Sequence, residues 1–257
     1  VQLQTHYLRC GIFGLILLAT LGGIWGGPAL GDHEAIVAEC ARNMRITGDW
    51  VVPQFLDTPF MRKPPLPYWL VAMASYVFPL DPATSLPVTS TAARLPSALA
   101  GLITILLLWR LGSAMFGIRT GMITAVIAGS SLFILQYSPN ATAEMPLTCC
   151  CTWAYLHFWY SVRGSSHSRQ RLHIILFYVA LGFGMLAKGP APLIMTAVPL
   201  AAWWYFERPL RILVRGGGFH WKRAVASGLR GLWPQTKAAF TRLWLLPGLI
   251  LFAAIFP

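Results

Sequence analysis

Uncharged apolar runs alternate along this chain with short basic stretches, and several runs are long enough to cross a bilayer. A crossing helix needs roughly twenty apolar residues, because each residue advances the axis by about 1.5 Å. Residues 10–30 meet that length without a charge. Residues 95–109 are bounded by Arg94 and Arg110, whose long stems can carry their heads to the interfaces. Residues 120–143, 145–162, 172–187 and 189–206 follow, and 243–257 begin a seventh run. Backbone polar groups in hydrocarbon must be satisfied within the segment, so such runs predict helices. The expected fold class is all-α: a polytopic membrane helical bundle with about seven spans in this stretch of chain.

Composition agrees and removes two alternatives. Hydrophobic residues make up 56% of the 257 and charged residues only 11%, too few charges to cover a soluble domain of this size. The formal charge of +12 does not signal nucleic acid, because the bases sit in loops between apolar runs, as in cytoplasmic membrane loops. The loop 208–242, with eight bases and Gly216–Gly218, reads as a cytoplasmic loop beside anionic lipid. Five cysteines (Cys10, Cys40, Cys149, Cys150, Cys151) show no CxxC or Cys/His metal spacing and read as small apolar fillers. The chain starts at Val1 and stops at Pro257 inside an apolar run. It reads as the N-terminal region, residues 1–257, of a longer protein whose C-terminal part is missing.

The acids are concentrated. Asp32, Glu34, Glu39, Asp49, Asp57 and Asp81, six of the eight, lie in or beside one loop after the first run. Ionisable groups near a bilayer are costly and usually functional. Residues 34–47 read as a helix, with Ile36, Val37, Cys40, Ala41 and Met44 on one stripe, suited to lying on the membrane surface. Asp32 is a natural N-cap and Glu34 a complement to the helix dipole, so a purely structural role for both stands beside a catalytic one. Residues 64–80 are uncharged but cut short by Pro64, Pro65, Pro67 and Pro79. The expectation is a re-entrant or interfacial helix, with Tyr68, Trp69 and Tyr76 in the headgroup zone. The first external loop then covers 31–94, the amino end is cytoplasmic, and Asp32, Lys63, Glu144 and Lys188 share one face. Lys/Arg counting does not by itself decide between this topology and one in which 64–80 spans.

Arg62 and Lys63, stiffened by Pro64 and Pro65 beside an aromatic pair, can grip a phosphate at the membrane surface or simply reach lipid headgroups. Glu144 ends one run in AEMPLT and Lys188 lies between two runs in AKGP, where a charge is inexpensive.

Several segments carry a family resemblance. Ala38–Glu39–Cys40–Ala41–Arg42–Asn43–Met44, GDWVVP at 48–53 and KPPLPYW at 63–69 resemble the first external loop of a bacterial glycosyltransferase family. It is that of lipid A aminoarabinose transferase and the protein O-mannosyltransferases, in the GT-C superfamily. ARLPSALAG at 93–101, EMPLT at 144–148 and LAKGP at 186–190 match later family segments in the same order. The resemblance implies a helical bundle in the bacterial plasma membrane with its active site on the periplasmic or outer face. It implies a polyprenyl-phosphate sugar donor, a lipid, protein or glycan acceptor, and inversion at the anomeric carbon. By that resemblance Asp32, Glu34 and Glu144 are candidate catalytic residues; Arg62, Lys63, Tyr68 and Lys188 are candidate substrate-binding residues. No cofactor is certain. A divalent metal stays open, although Arg62 stands where some relatives have a metal-suited carboxylate. His33 occupies the family's usual Asp place, with Asp32 one residue early and Glu34 in register. The alternatives are a transporter or flippase of lipid-linked precursors, whose sites tend to lie at the bilayer midplane, and a non-catalytic relative.

Overall fold

A computed structural model describes residues 29–56, 58–78, 87–163 and 166–215, with side chains as far as 206, and a few single positions near both ends. The first run, the seventh run, residues 216–242 of the basic loop, Asp57 and Asp81 lie wholly or largely outside the described residues.

The first external loop folds into two short helices and a hairpin. Helix α1 covers Asp32–Thr47. It starts from Gly31 in extended conformation and stops at Gly48, whose left-handed φ of 74° lets its N–H reach the Met44 carbonyl. Asp32 is therefore the first helical residue and not the cap expected of it. The cap comes from inside the helix, where Glu34 Oε2 accepts the Gly31 N–H at 3.1 Å. Asp49 then accepts the Val51 and Val52 N–H groups and turns the chain. Strands β1 (Gln54–Phe55) and β2 (Thr58–Pro59) pair antiparallel, Gln54 opposite Pro59 and Phe55 opposite Thr58.

Helix α2 is Leu66–Ala74, with Pro67 in the first turn, where a missing N–H costs nothing. Nine residues advance roughly 14 Å, less than half the hydrocarbon thickness, so α2 is too short to cross. The apolar stripe of α1 turns toward protein rather than toward a membrane surface. Val37, Cys40, Ala41 and Met44 bury against Tyr68, Val71 and Ala72 of α2 and against Ala93. Arg45 locks this unit, donating to the Ser75 carbonyl and Oγ at 3.0 Å and to the Pro87 carbonyl at 2.9 Å, with its guanidinium 4.1 Å from the Tyr76 ring centre. Trp69 Nε1 adds a 2.7 Å bond to the Trp50 carbonyl.

The bundle follows. Helix α3, Ser90–Phe116, begins at Thr89, whose hydroxyl caps the Ala92 N–H. Gly117, at φ 94°, turns the chain directly into α4, Ile118–Gly129. The α3–α4 crossing is close: a Cβ on Gly121 would lie 2.7 Å from the Trp109 carbonyl oxygen. Small residues at such crossings let helix backbones approach in lipid. The run 120–143 is not one helix. Ser131 caps a new short helix, α5 (Leu132–Tyr137), because serine hydroxyls compete for backbone bonds and favour helix starts. Helices α6 (Glu144–Arg163) and α7 (His167–Lys188) share the most extensive interface, around Ala154, Phe158, Phe177 and Leu181. A π-helical turn, Leu193–Ala197, leads into α8, Val198–Arg215.

Among the described residues, α3 and α7 are each long and apolar enough to cross a membrane, with mean hydropathy of 1.8 and 1.5 in their best windows. Ile103, Phe116, Ile123, Ile127 and Leu132 of α3–α5 point outward and exposed. An apolar exterior on a helical bundle suits lipid rather than water. The fold is thus a mostly helical membrane type, and two helices among the described residues pass as spans by length and composition.

Candidate active site

The start of α3, the end of α5, the start of α6, the end of α7 and the segment before α2 converge at one end of the bundle. Leu66 packs on Leu147 and on Leu186–Ala187, so the start of α2 sits between the N-terminus of α6 and the C-terminus of α7. Lys63 and Arg62, a few residues before Leu66, are exposed at that end.

Two ion pairs between elements organise it. The first joins Glu34 to Arg94. Arg94 Nε reaches Oε1 and Nη2 reaches Oε2, both at 3.0 Å. The Ala141 N–H donates to Oε1 at 2.9 Å, and the Gly31 N–H completes the set. Arg94 is 3% exposed and Glu34 is 7%. Burial pushes the Glu34 carboxyl up, but the Arg94 guanidinium and the two N–H groups more than offset it and hold it below its ordinary value. With both oxygens occupied, Glu34 ties α1, α3 and the 138–143 loop together and has no oxygen free to take a proton from a substrate. Arg94 is not an interfacial arginine here, as the sequence suggested. It turns inward because it can meet a carboxylate that backbone donors already solvate.

The second pair joins Lys188 Nζ to Glu144 Oε1 at 2.7 Å. Glu144 is the first residue of α6 and Lys188 the last of α7, each at the helix end whose dipole favours its charge. This pair is open: the side chains are 47% exposed for Lys188 and 29% for Glu144.

The other candidates divide. Asp32 and His33 are exposed at the start of α1, the two residues immediately before the Glu34 anchor. Tyr68 lies in the core, fully buried against α1. Ser97 Oγ, unremarked in the sequence, donates to the Thr142 carbonyl at 3.2 Å and steadies the loop that supplies the Ala141 N–H. Gly101 lets α3 approach the same loop, since a Cβ there would collide with Ser138 Oγ. No group of three or more His, Cys, Asp or Glu side chains able to hold a metal occurs among the described residues. An apolar groove of about 280 Å³ is lined by Leu111, Met115, Tyr155, Phe158, Trp159 and Trp203. It lies well along α6 from Glu144 rather than beside the charged end; the eleven residues to Tyr155 span roughly 16 Å.

Comparison with known proteins places this geometry. The family model of dolichyl-phosphate-mannose-protein mannosyltransferase matches residues 62–215. Undecaprenyl phosphate-alpha-4-amino-4-deoxy-L-arabinose arabinosyl transferase of Pseudomonas aeruginosa is 28% identical over 241 residues, 93% of this chain and 41% of that protein. The transferase of the same name from Aeromonas hydrophila is 30% identical over 192 residues, 74% of this chain and 34% of that one. The chain thus spans about a third to two fifths of the length of the curated relatives it matches. Crystal structures of ArnT from Cupriavidus metallidurans, apo and bound to undecaprenyl phosphate, superpose with a TM-score of 0.74 at 19% and 18% identity. They cover 98% of this chain and 41% and 40% of theirs. The Archaeoglobus fulgidus oligosaccharyltransferase, tethered to an acceptor peptide, follows at a TM-score of 0.62 and 16% identity, over 97% of this chain and 34% of its own. The fold is therefore shared with ArnT and with the archaeal oligosaccharyltransferase. Because the match covers residues 62–215, more than half of the sequence, the chain belongs to the dolichyl-phosphate-mannose-protein mannosyltransferase family.

Proposed function

We propose that this chain forms the sugar-transfer region of an integral membrane glycosyltransferase. It moves a sugar from a polyprenyl-phosphate donor to a lipid, protein or glycan hydroxyl, with inversion. The site faces the periplasm or outside of a bacterial plasma membrane that the chain crosses several times. The observation that supports this reading is the convergence of Glu34, Arg94, Glu144 and Lys188 at one end of the bundle, beside the segment that carries Lys63. Ionisable groups at helix ends, rather than at the midplane, fit an enzyme better than a transporter.

The chemistry assigns roles. As the glycosidic bond breaks, negative charge grows on the departing phosphate, and Lys63, Arg62 and Lys188 are the cations available to stabilise it. The acceptor hydroxyl must lose a proton to a positioned base. Asp32 is exposed and fills that role; Glu34, saturated by four hydrogen bonds, positions the start of α1 instead. Tyr68 contributes to the packing that fixes α2. His33, in the place where the family resemblance implies Asp, is the feature that favours a non-catalytic relative.

The test is turnover of polyprenyl-phosphate sugars by the purified full-length protein in nanodiscs. Asp32→Asn abolishes transfer with donor binding retained. Lys63→Ala weakens donor binding roughly ten- to a hundredfold, the value of one charge-assisted contact. A wild-type protein that binds no polyprenyl phosphate refutes the reading. One that binds donors but transfers nothing supports the non-catalytic alternative.

A further inference from the structure

Resting on the function proposed above, we propose that Glu144 holds Lys188 in the ligand-free protein and that the donor's phosphate displaces Glu144 from it by ligand exchange.

The two ion pairs at this end of the bundle are built differently, and the difference carries the inference. Glu34 and Arg94 are sealed from solvent and joined by two parallel bonds, with backbone N–H groups on the same carboxylate. Such a pair has no low-energy way to open, since either charge would be stranded in the interior. Lys188 and Glu144 are joined by a single Nζ–Oε1 contact, with the lysine side chain 47% exposed and the carboxylate 29%. A pair this exposed is worth little, because water can solvate either partner once they part.

The backbone on both sides favours exchange by side-chain rotation alone. Lys188 closes α7, and Gly189, at φ 58°, turns the chain away immediately. Glu144 opens α6, so its charge keeps the favourable end of that helix dipole when the lysine leaves. The lysine ammonium has three donors in rotatable positions and accepts a phosphate as a point charge. The donor's phosphodiester presents two unesterified oxygens sharing one negative charge, as the Glu144 carboxylate does, so the lysine trades one anion for another of equal charge. Exchange leaves Glu144 uncoupled next to the bound donor. The lysine therefore meets the phosphate only at the cost of its resting partner, and Glu144 competes with the donor for it.

The experiment measures affinity for undecaprenyl phosphate, with the matching polyprenol lacking phosphate as control, in nanodiscs holding the full-length protein. Glu144→Gln keeps the shape and removes the competing charge. It should bind undecaprenyl phosphate roughly three- to fivefold more tightly than wild type, the scale of an exposed ion pair. Lys188→Met should bind it more weakly, and the double variant should match Lys188→Met, because the gain depends on the lysine. The polyprenol should not distinguish the variants. Thermal melting checks that each protein is folded; if Glu144→Gln is not, Glu144→Asp, whose carboxylate is one methylene shorter and so holds Lys188 less well, should bind the probe more tightly than wild type. Unchanged or weaker binding by folded Glu144→Gln, or a gain that survives loss of Lys188, overturns the exchange and leaves the function proposal standing. Absence of binding by wild type overturns both.

Discussion

Replacing Glu34 with glutamine should damage the frame of the site more than any other isosteric change at this end of the bundle. Glu34 receives four hydrogen bonds, from Arg94 Nε and Nη2 and from the N–H groups of Ala141 and Gly31, at 2.9–3.1 Å. Glutamine keeps one oxygen for Ala141 and Arg94 Nε. Its amide then faces Arg94 Nη2 and the Gly31 N–H, both donors, so two bonds are lost. Arg94 is left charged at 3% exposure without the Glu34 carboxylate. Removing one partner of a buried pair costs about 3–5 kcal/mol, a large part of the 5–15 kcal/mol that holds a typical domain together. At about 2–4 °C per kcal/mol, the midpoint of thermal unfolding in detergent should fall by roughly ten degrees. Pairing Glu34→Gln with Arg94→Met should recover much of that loss, with a coupling of about 2 kcal/mol or more. The pH dependence follows from the lowered Glu34 value in the folded protein. Its contribution is fully present above the ordinary unfolded carboxylate range near pH ~4.3 and is lost as pH falls through the lower folded value. Wild-type melting should therefore drop on acidification below about pH 4 more steeply than melting of Glu34→Gln. A midpoint shift within two degrees, or additive losses in the double variant, would refute a buried pair that frames the site.

Three further outcomes test the fold around that pair. Gly121→Ala should destabilise by about 1–3 kcal/mol in detergent melts, because the new methyl meets the Trp109 and Ser113 backbone and the α3–α4 crossing has to open. Arg45→Met should cost about 2–3 kcal/mol by the same assay, through the lost bonds to Ser75 and Pro87, and should speed proteolysis of the first loop relative to the bundle. Single cysteines at Thr58 and Ser90, in a cysteine-free background, should both react with an impermeant thiol reagent added from outside; labelling of only one means that the segment containing α2 crosses the membrane.

The charged pairs show where sequence reading stops. Topology alone puts Lys188 and Glu144 on one face, and the structure brings them into contact. Helix ends carry that information: the acid opens α6 and the base closes α7, so an antiparallel α6–α7 pair sets them side by side. The Arg94–Glu34 pair was not visible in the same way. An arginine at the head of an apolar run has two good solutions, outward to headgroups or inward to a carboxylate. Local sequence cannot choose between them, because the choice depends on α1 lying against α3, a contact between residues sixty positions apart. One signal was present in the sequence. Glu34 stands two residues after Asp32, and a three-residue step back to Gly31 is the spacing of a capping contact, which marks Glu34 rather than Asp32 as the inward acid.

The same limit explains Tyr68 and the interrupted third run. Pro64, Pro65, Pro67 and Pro79 predict a short α2, and it is short; they do not say which face of it is covered. Coverage was decided by α1, whose stripe was legible from its spacing but was matched to a membrane surface when the nearer apolar partner was Tyr68, Val71 and Ala72. In residues 120–143, hydropathy favoured one helix, but Ser130 and Ser131 offered the backbone an alternative and the helix restarts at Leu132. That restart has a consequence at the site. It brings Tyr137 and Ser138 round so that Gly101 of α3 can receive the loop, and the loop presents the Ala141 N–H to Glu34. A continuous span through 143 would carry that N–H inside the helical ladder, bonded four residues back, and Glu34 would lose the donor that helps keep it ionised. The break in the apolar run is thus a condition of the buried pair, and through it of where the exposed Asp32 and His33 stand.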